Sequence, residues 1–101
     1  MSTTSYELFG QLFEWDTEKA LLNLQKHGVH FEEAATVFDD SEATVYEDMR
    51  HSEHEDRFHV VGYSKNERLL MVCHCYRDDD SIIRIISARK ATKTEQSQHR
   101  R

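Results

Sequence analysis

The sequence predicts an α+β domain: two N-terminal helices packed on a four-stranded antiparallel β-sheet, with a short C-terminal helix. Three observations carry this. Between residues 17 and 38, apolar side chains recur at spacings of three and four, the period of helices with one buried face. Beyond residue 43, β-branched and aromatic residues gather in four runs separated by polar turns, the pattern of a meander. A chain of 101 residues has room for one two-layer core.

Residues 1–12 carry no strong periodicity and read as a loose leader, which leaves residues 13–101 as the single domain. Asp16 is a good N-cap for a helix running from Thr17 to His27, with Glu18 in the first turn and Lys26 and His27 in the last. Gly28 supplies the left-handed C-cap. A second helix over Phe31–Phe38 places Phe31, Ala34, Ala35 and Phe38 on one face, and Asp39-Asp40-Ser41 ends it. Strands are expected at Ala43–Tyr46, Phe58–Tyr63, Leu69–Tyr76 and Ile82–Ala88, with tight turns at Ser64–Glu67 and Asp78–Asp80. The segment from Thr92 to Arg101 suits a short, sparsely apolar helix.

Charge is strongly polarised. From Ser81 onward, Arg84, Arg89, Lys90, Lys93, Arg100 and Arg101 face Glu95 alone, a net of +5. With a total of −6, residues 1–80 carry −11. Such a chain has a polyanionic neighbour and a basic one. No apolar run approaches the length of a membrane span and Met1–Ser5 lacks signal-peptide character, so the expected location is cytoplasmic, with no membrane partner. Cys73 and Cys75 are two apart in a strand, share a face and are expected as reduced thiols.

In the last strand Arg84 and Arg89 differ in parity, so they point to opposite faces unless a bulge intervenes. Elsewhere Lys26 and His27 stand together before a glycine, where cations are also ordinary helix-dipole partners. Trp15, just ahead of the first helix, either stacks on a base or staples the helix start into the core.

Several segments in order resemble the BrnT family of ribonuclease toxins from bacterial type II toxin-antitoxin pairs. They are Phe13-Glu14-Trp15-Asp16, Lys26-His27-Gly28-Val29, Phe31-Glu32-Glu33-Ala34, Val37-Phe38-Asp39-Asp40, Glu55-Asp56-Arg57-Phe58, Val61-Gly62-Tyr63-Ser64, Arg68-Leu69-Leu70 and Arg84-Ile85-Ile86-Ser87-Ala88-Arg89-Lys90-Ala91. The resemblance implies a RelE-like fold, an endoribonuclease that arrests translation, and a cognate antitoxin, with two toxins meeting two antitoxins. It implies metal-independent transesterification through the RNA 2′-hydroxyl, no cofactor, and no direct DNA binding by this chain.

Under that resemblance Arg89 leads the catalytic candidates, because a guanidinium stays charged and forks onto phosphate. His27, Lys26 and Arg57 complete the catalytic set; Arg84, Trp15, Lys90, Ser87 and His99 are the RNA-binding candidates. His99 stands about where family members often carry a tyrosine, and an imidazole suits acid–base work near neutrality. Two other classes compete. One is a non-catalytic acidic module that binds a basic protein. The other is metal binding through His51, His54, His59 and the Cys73-His74-Cys75 run, although its spacing matches no ordinary structural zinc site.

Overall fold

The computed structural model describes residues 2–48 and 56–99. Its elements are β1 (Thr3–Leu8), β2 (Gln11–Asp16), α1 (Thr17–His27), α2 (Phe31–Thr36) continued by a 3-10 turn (Val37–Asp39), β3 (Thr44–Asp48), β4 (Arg57–Tyr63), β5 (Leu69–Arg77), β6 (Ile82–Lys90) and α3 (Lys93–Gln98). The strands form one six-stranded sheet in the order β1-β2-β6-β5-β4-β3. The β3 to β6 meander follows the sequence expectation, but the four-stranded antiparallel sheet does not. Two further strands extend the sheet beyond β6, and β2 runs parallel to β6, so the sheet is mixed.

The expected loose leader is the source of the difference. Residues 3–16 form a hairpin whose register runs from Thr3 against Asp16 to Leu8 against Gln11. Its two-residue turn puts Phe9 and Gly10 at positive φ (52° and 79°), the backbone that matches strand twist and that glycine supports readily but phenylalanine rarely. Phe13 and Trp15 alternate inward from β2 and are almost fully buried.

Local chemistry then turns the chain sharply into α1. Asp16 accepts from the backbone of Glu18 (2.9 Å) and Lys19 (3.1 Å), and Gly28 closes the other end with φ 69° and an N–H bond to Leu24 (2.9 Å). The main core lies between the helices and one face of the sheet, built from Phe13, Trp15, Val29, Phe31, Ala34, Ala35, Val37, Val60, Leu70, Val72, Ile83, Ile85 and Ala88. A smaller cluster of Val61, Met71 and Cys73, flanked by Leu69 and Ile86, lies on the opposite face. Metal-reading residues His51 and His54, and also Arg100 and Arg101, lie outside the described residues.

Candidate RNA-facing surface

The β5–β6 ladder changes register in mid-strand. Cys73 pairs with Ser87 while His74 pairs with Ile85, so Ile86 is an extra residue, a β-bulge. A bulge reverses inside and outside for everything beyond it. Ile83 and Ile85 point to the helix-covered core before it and Ala88 after it. Arg84, opposite Cys75, and Arg89, opposite Met71, therefore share the open face, with Ser87 between them. On β4 the same face carries Arg57 and His59, since His59 opposes Cys73.

Sharing a face does not put these groups on one phosphate. Arg84 and Arg89 are five residues apart along β6, about 15 Å at strand rise. Arg57 and Arg84 belong to one end of the sheet, while Arg89, Lys90 and Tyr63 belong to the other. At the second end a cleft of about 540 Å³ is lined by Tyr63, Arg68, Leu69, Lys90 and Gln96. Arg68 Nη2 donates to Gly28 O (3.1 Å), which sets the end of α1, with exposed Lys26 and half-buried His27, beside one wall of this cleft. The structure thus places Arg89 and Lys90 near one end of the open face and Arg57 with Arg84 at the other, while Lys26 and His27 end α1 in the helix layer that covers the sheet's other face.

Carboxylates hold Arg84 and Arg89 in place. Arg84 pairs with Glu14 (2.7 Å). Arg89 forks onto Glu95, with Nη1 to Oε1 at 2.8 Å and Nη2 to Oε2 at 3.0 Å. Glu95 also accepts from the backbone of Thr92 (2.8 Å) and completes the capping box of α3. The Arg89 guanidinium, foremost, and this cap hold the Glu95 carboxyl below its usual range. Arg57 Nε is buried with no hydrogen-bond partner among the described residues.

Two candidates are placed away from solvent. Trp15 is 2 % exposed and packs edge-on against Phe31 and tilted against Tyr6, a core staple closed to any base. His99 is buried beside Tyr63, ring centres 5.8 Å apart, with Nε2 unpartnered among the described residues. The proposed Cys-His-Cys grouping is split, because His74 points into the core among Phe38, Phe58 and Tyr76.

Sequence reasoning missed Arg68. It meets buried Glu33 through Nε (2.9 Å) and Nη2 (2.5 Å), and Ser64 Oγ donates to the same carboxylate (2.7 Å). The Arg68 bond, foremost, drives the Glu33 carboxyl down to about 2. Helical period gave no signal for it, since Glu33 falls on the side of the helix away from Phe31, Ala34, Ala35 and Phe38 and is buried by Ser64 and Arg68, which lie far along the chain.

A second cleft, of about 600 Å³, includes Tyr6, Leu8, Asp39, Asp40, Lys65 and Glu67 in its lining. Its charged residues, Asp39, Asp40 and Glu67 against Lys65, are mostly acidic and repel phosphate. Among the described residues no helix is long and apolar enough to cross a membrane.

Fold and surface together define a small α+β protein that turns a row of arginines onto the open face of a mixed sheet and closes one end of that face with its C-terminal helix. Residues 15–95 match the family of BrnT, the ribonuclease toxin of type II toxin-antitoxin systems. The chain belongs to that family. Its fold is similar to the 1.1 Å crystal structure of the Brucella abortus ribonuclease toxin BrnT. The TM-score is 0.59 and the identity 21 %, over 78 % of this chain and 94 % of that one. None of the curated proteins matches this chain.

Proposed function

We propose that this chain is an endoribonuclease that cleaves single-stranded RNA by metal-independent transesterification, arrests translation and is neutralised by its cognate antitoxin. The observation that carries the reading is the bulge at Ile86, which turns Arg84 and Arg89 to the same open face. A strand of RNA laid along β6 meets Arg57 and Arg84 at one end and Arg89 and Lys90 at the other, each group serving a different phosphate.

At the second end Arg89 faces the scissile phosphate and spreads the charge of the phosphorane through its fork. Phosphate displaces Glu95 from that fork, an exchange of one oxyanion for another. Within this reading half-buried His27 takes the proton of the 2′-hydroxyl and exposed Lys26 holds a neighbouring phosphate, the RNA wrapping the end of the sheet to reach α1, while buried His99 positions α3 beside Tyr63. The protein partner is an antitoxin, with RNA as the substrate and a two-plus-two assembly as the expected complex. The chain is expected to act in the cytoplasm.

The test is induced expression of the wild type and of Arg89→Ala, with circular dichroism of each purified protein. Growth arrest and RNA cleavage in excess chelator by the wild type, both lost in a folded Arg89→Ala, support the reading. Equal arrest by both proteins removes Arg89 from the site. A folded wild type that cleaves nothing overturns the enzyme assignment and favours the acidic binding module.

A further inference from the structure

Three adjacent strands bring a mixed set of metal-ligating atoms together on the open face. Asp48 ends β3, His59 lies on β4 and Cys73 on β5, directly opposite His59 in the ladder. Their donor atoms, a carboxylate oxygen, an imidazole nitrogen and a sulfur, all lie within 4.8 Å of one another. His59 Nε2 is already 3.1 Å from Asp48 Oδ2. A tetrahedral zinc ion, with bonds of about 2.0–2.3 Å, holds its ligand atoms about 3.3–3.8 Å apart. Closing the set onto an ion takes side-chain rotations of about 1 Å, with the strands themselves fixed by the sheet.

We propose that Asp48, His59 and Cys73 bind a single zinc ion, the fourth position being left to solvent or to an incoming ligand. Donor chemistry selects the metal class. A thiolate with an imidazole suits zinc and disfavours magnesium and calcium, which want oxygen alone. Asp48 and Cys73 are buried and His59 is partly exposed, so an ion enters past the imidazole and keeps its open position toward the arginine face. Because binding is read on the protein alone, the site stands apart from the ribonuclease reading. Should both hold, the ion adds positive charge close to Arg57, whose Cα partner in the ladder is Asp48.

The test titrates zinc into the metal-free full chain against a chromophoric chelator, for the wild type, Cys73→Ser, His59→Gln and Cys75→Ser. The expected result is one zinc per wild-type chain, weakened by at least about tenfold in Cys73→Ser and His59→Gln and unchanged in Cys75→Ser. Cobalt in place of zinc gives the wild type a thiolate-to-metal charge-transfer band that Cys73→Ser lacks. That spectrum and the milder variant Asp48→Asn keep the question answerable if a substitution unfolds the chain. No one-to-one complex, a cobalt spectrum without the thiolate band, or zinc affinity indifferent to Cys73 and His59 overturns the proposal.

Discussion

The side chain of Asn23 closes both backbone groups of Ala88. Its Nδ2 donates to Ala88 O (2.9 Å) and its Oδ1 accepts from Ala88 N (3.1 Å), while Nδ2 also reaches Val29 O (3.0 Å). β2 accompanies β6 only as far as Arg84 before bending into α1. Beyond that point the amide of a helical residue takes the place of a neighbouring strand. Asn23→Leu leaves buried backbone groups unpaired and is expected to cost about 2–4 kcal/mol in urea unfolding. A loss below about 1 kcal/mol would mean the strand edge finds other partners.

Glu95 and an RNA phosphate compete for the same fork. Glu95→Gln is expected to tighten RNA binding several-fold and to steepen its dependence on log salt by about 0.7, the slope of one added single-strand contact. Filter binding across a salt series reads both. Affinity that is unchanged or lower would show that Arg89 does not reach phosphate.

The Glu33–Arg68 pair makes an acid-sensitive contribution. Its folded carboxyl titrates near 2 against 4.5 for the free group, so the stabilisation is complete above 4.5 and is lost as pH falls toward 2. Glu33→Gln should cost about 3 kcal/mol at pH 7 and progressively less below pH 4. Chemical denaturation at pH 7 and pH 3.5 measures the gap; an equal cost at both would rule out the charged pair as its cause.

His74 adds to the same loss in acid, although here it is the neutral form that the fold favours. Burial, foremost, lowers its imidazole to about 4 from 6.5, so the fold favours the neutral ring, and stability falls as pH drops from 6.5 to 4. His74→Phe, placed among Phe38, Phe58 and Tyr76, is expected to change stability at pH 7 by less than about 1.5 kcal/mol. The loss between pH 7 and pH 4.5 should shrink by about 2 kcal/mol. Parallel acid titrations of wild type and variant would disprove this account.

Gly62 sits where β4 passes under the 3-10 turn. A Cβ there would come within 2.8 Å of Ala43 Cβ, 3.0 Å of Val37 Cγ1 and 3.1 Å of Asp40 Oδ2. The last contact also disturbs Asp40 Oδ2 as acceptor of the Tyr63 N–H (2.8 Å). Gly62→Ala is expected to cost about 1–3 kcal/mol, read as a fall of several degrees in melting temperature. An unchanged melt would show that the turn can lift away.

The parts legible in the sequence were those encoded locally. Asp16 and Gly28 bracket α1 by cap chemistry, Asp78–Asp80 marks a turn through residues that tolerate left-handed backbone, and Ser64–Glu67 marks one by its polar composition. The hairpin of residues 3–16 escaped because Phe9 occupies a turn position at φ 52° that its side chain does not announce. Pairing of Leu12 with Ile82 escaped because nothing local specifies a parallel neighbour so far along the chain. As for the surface, parity alone set Arg84 and Arg89 apart, and only the bulge at Ile86 reunites them. Trp15 was ambiguous until its neighbours Tyr6 and Phe31 were in place.

The position of β6 has a consequence for biosynthesis. This strand lies inside the sheet between β2 and β5, yet among the described strands it comes last in chain order. Until Ile82–Lys90 clears the ribosome, Phe13 and Trp15 have no Ile83 or Ile85 to pack against, and the hairpin that carries them has no neighbour. The nascent chain is therefore held short of its native core until residue 90 has emerged, and the arginine face comes into being only with that strand.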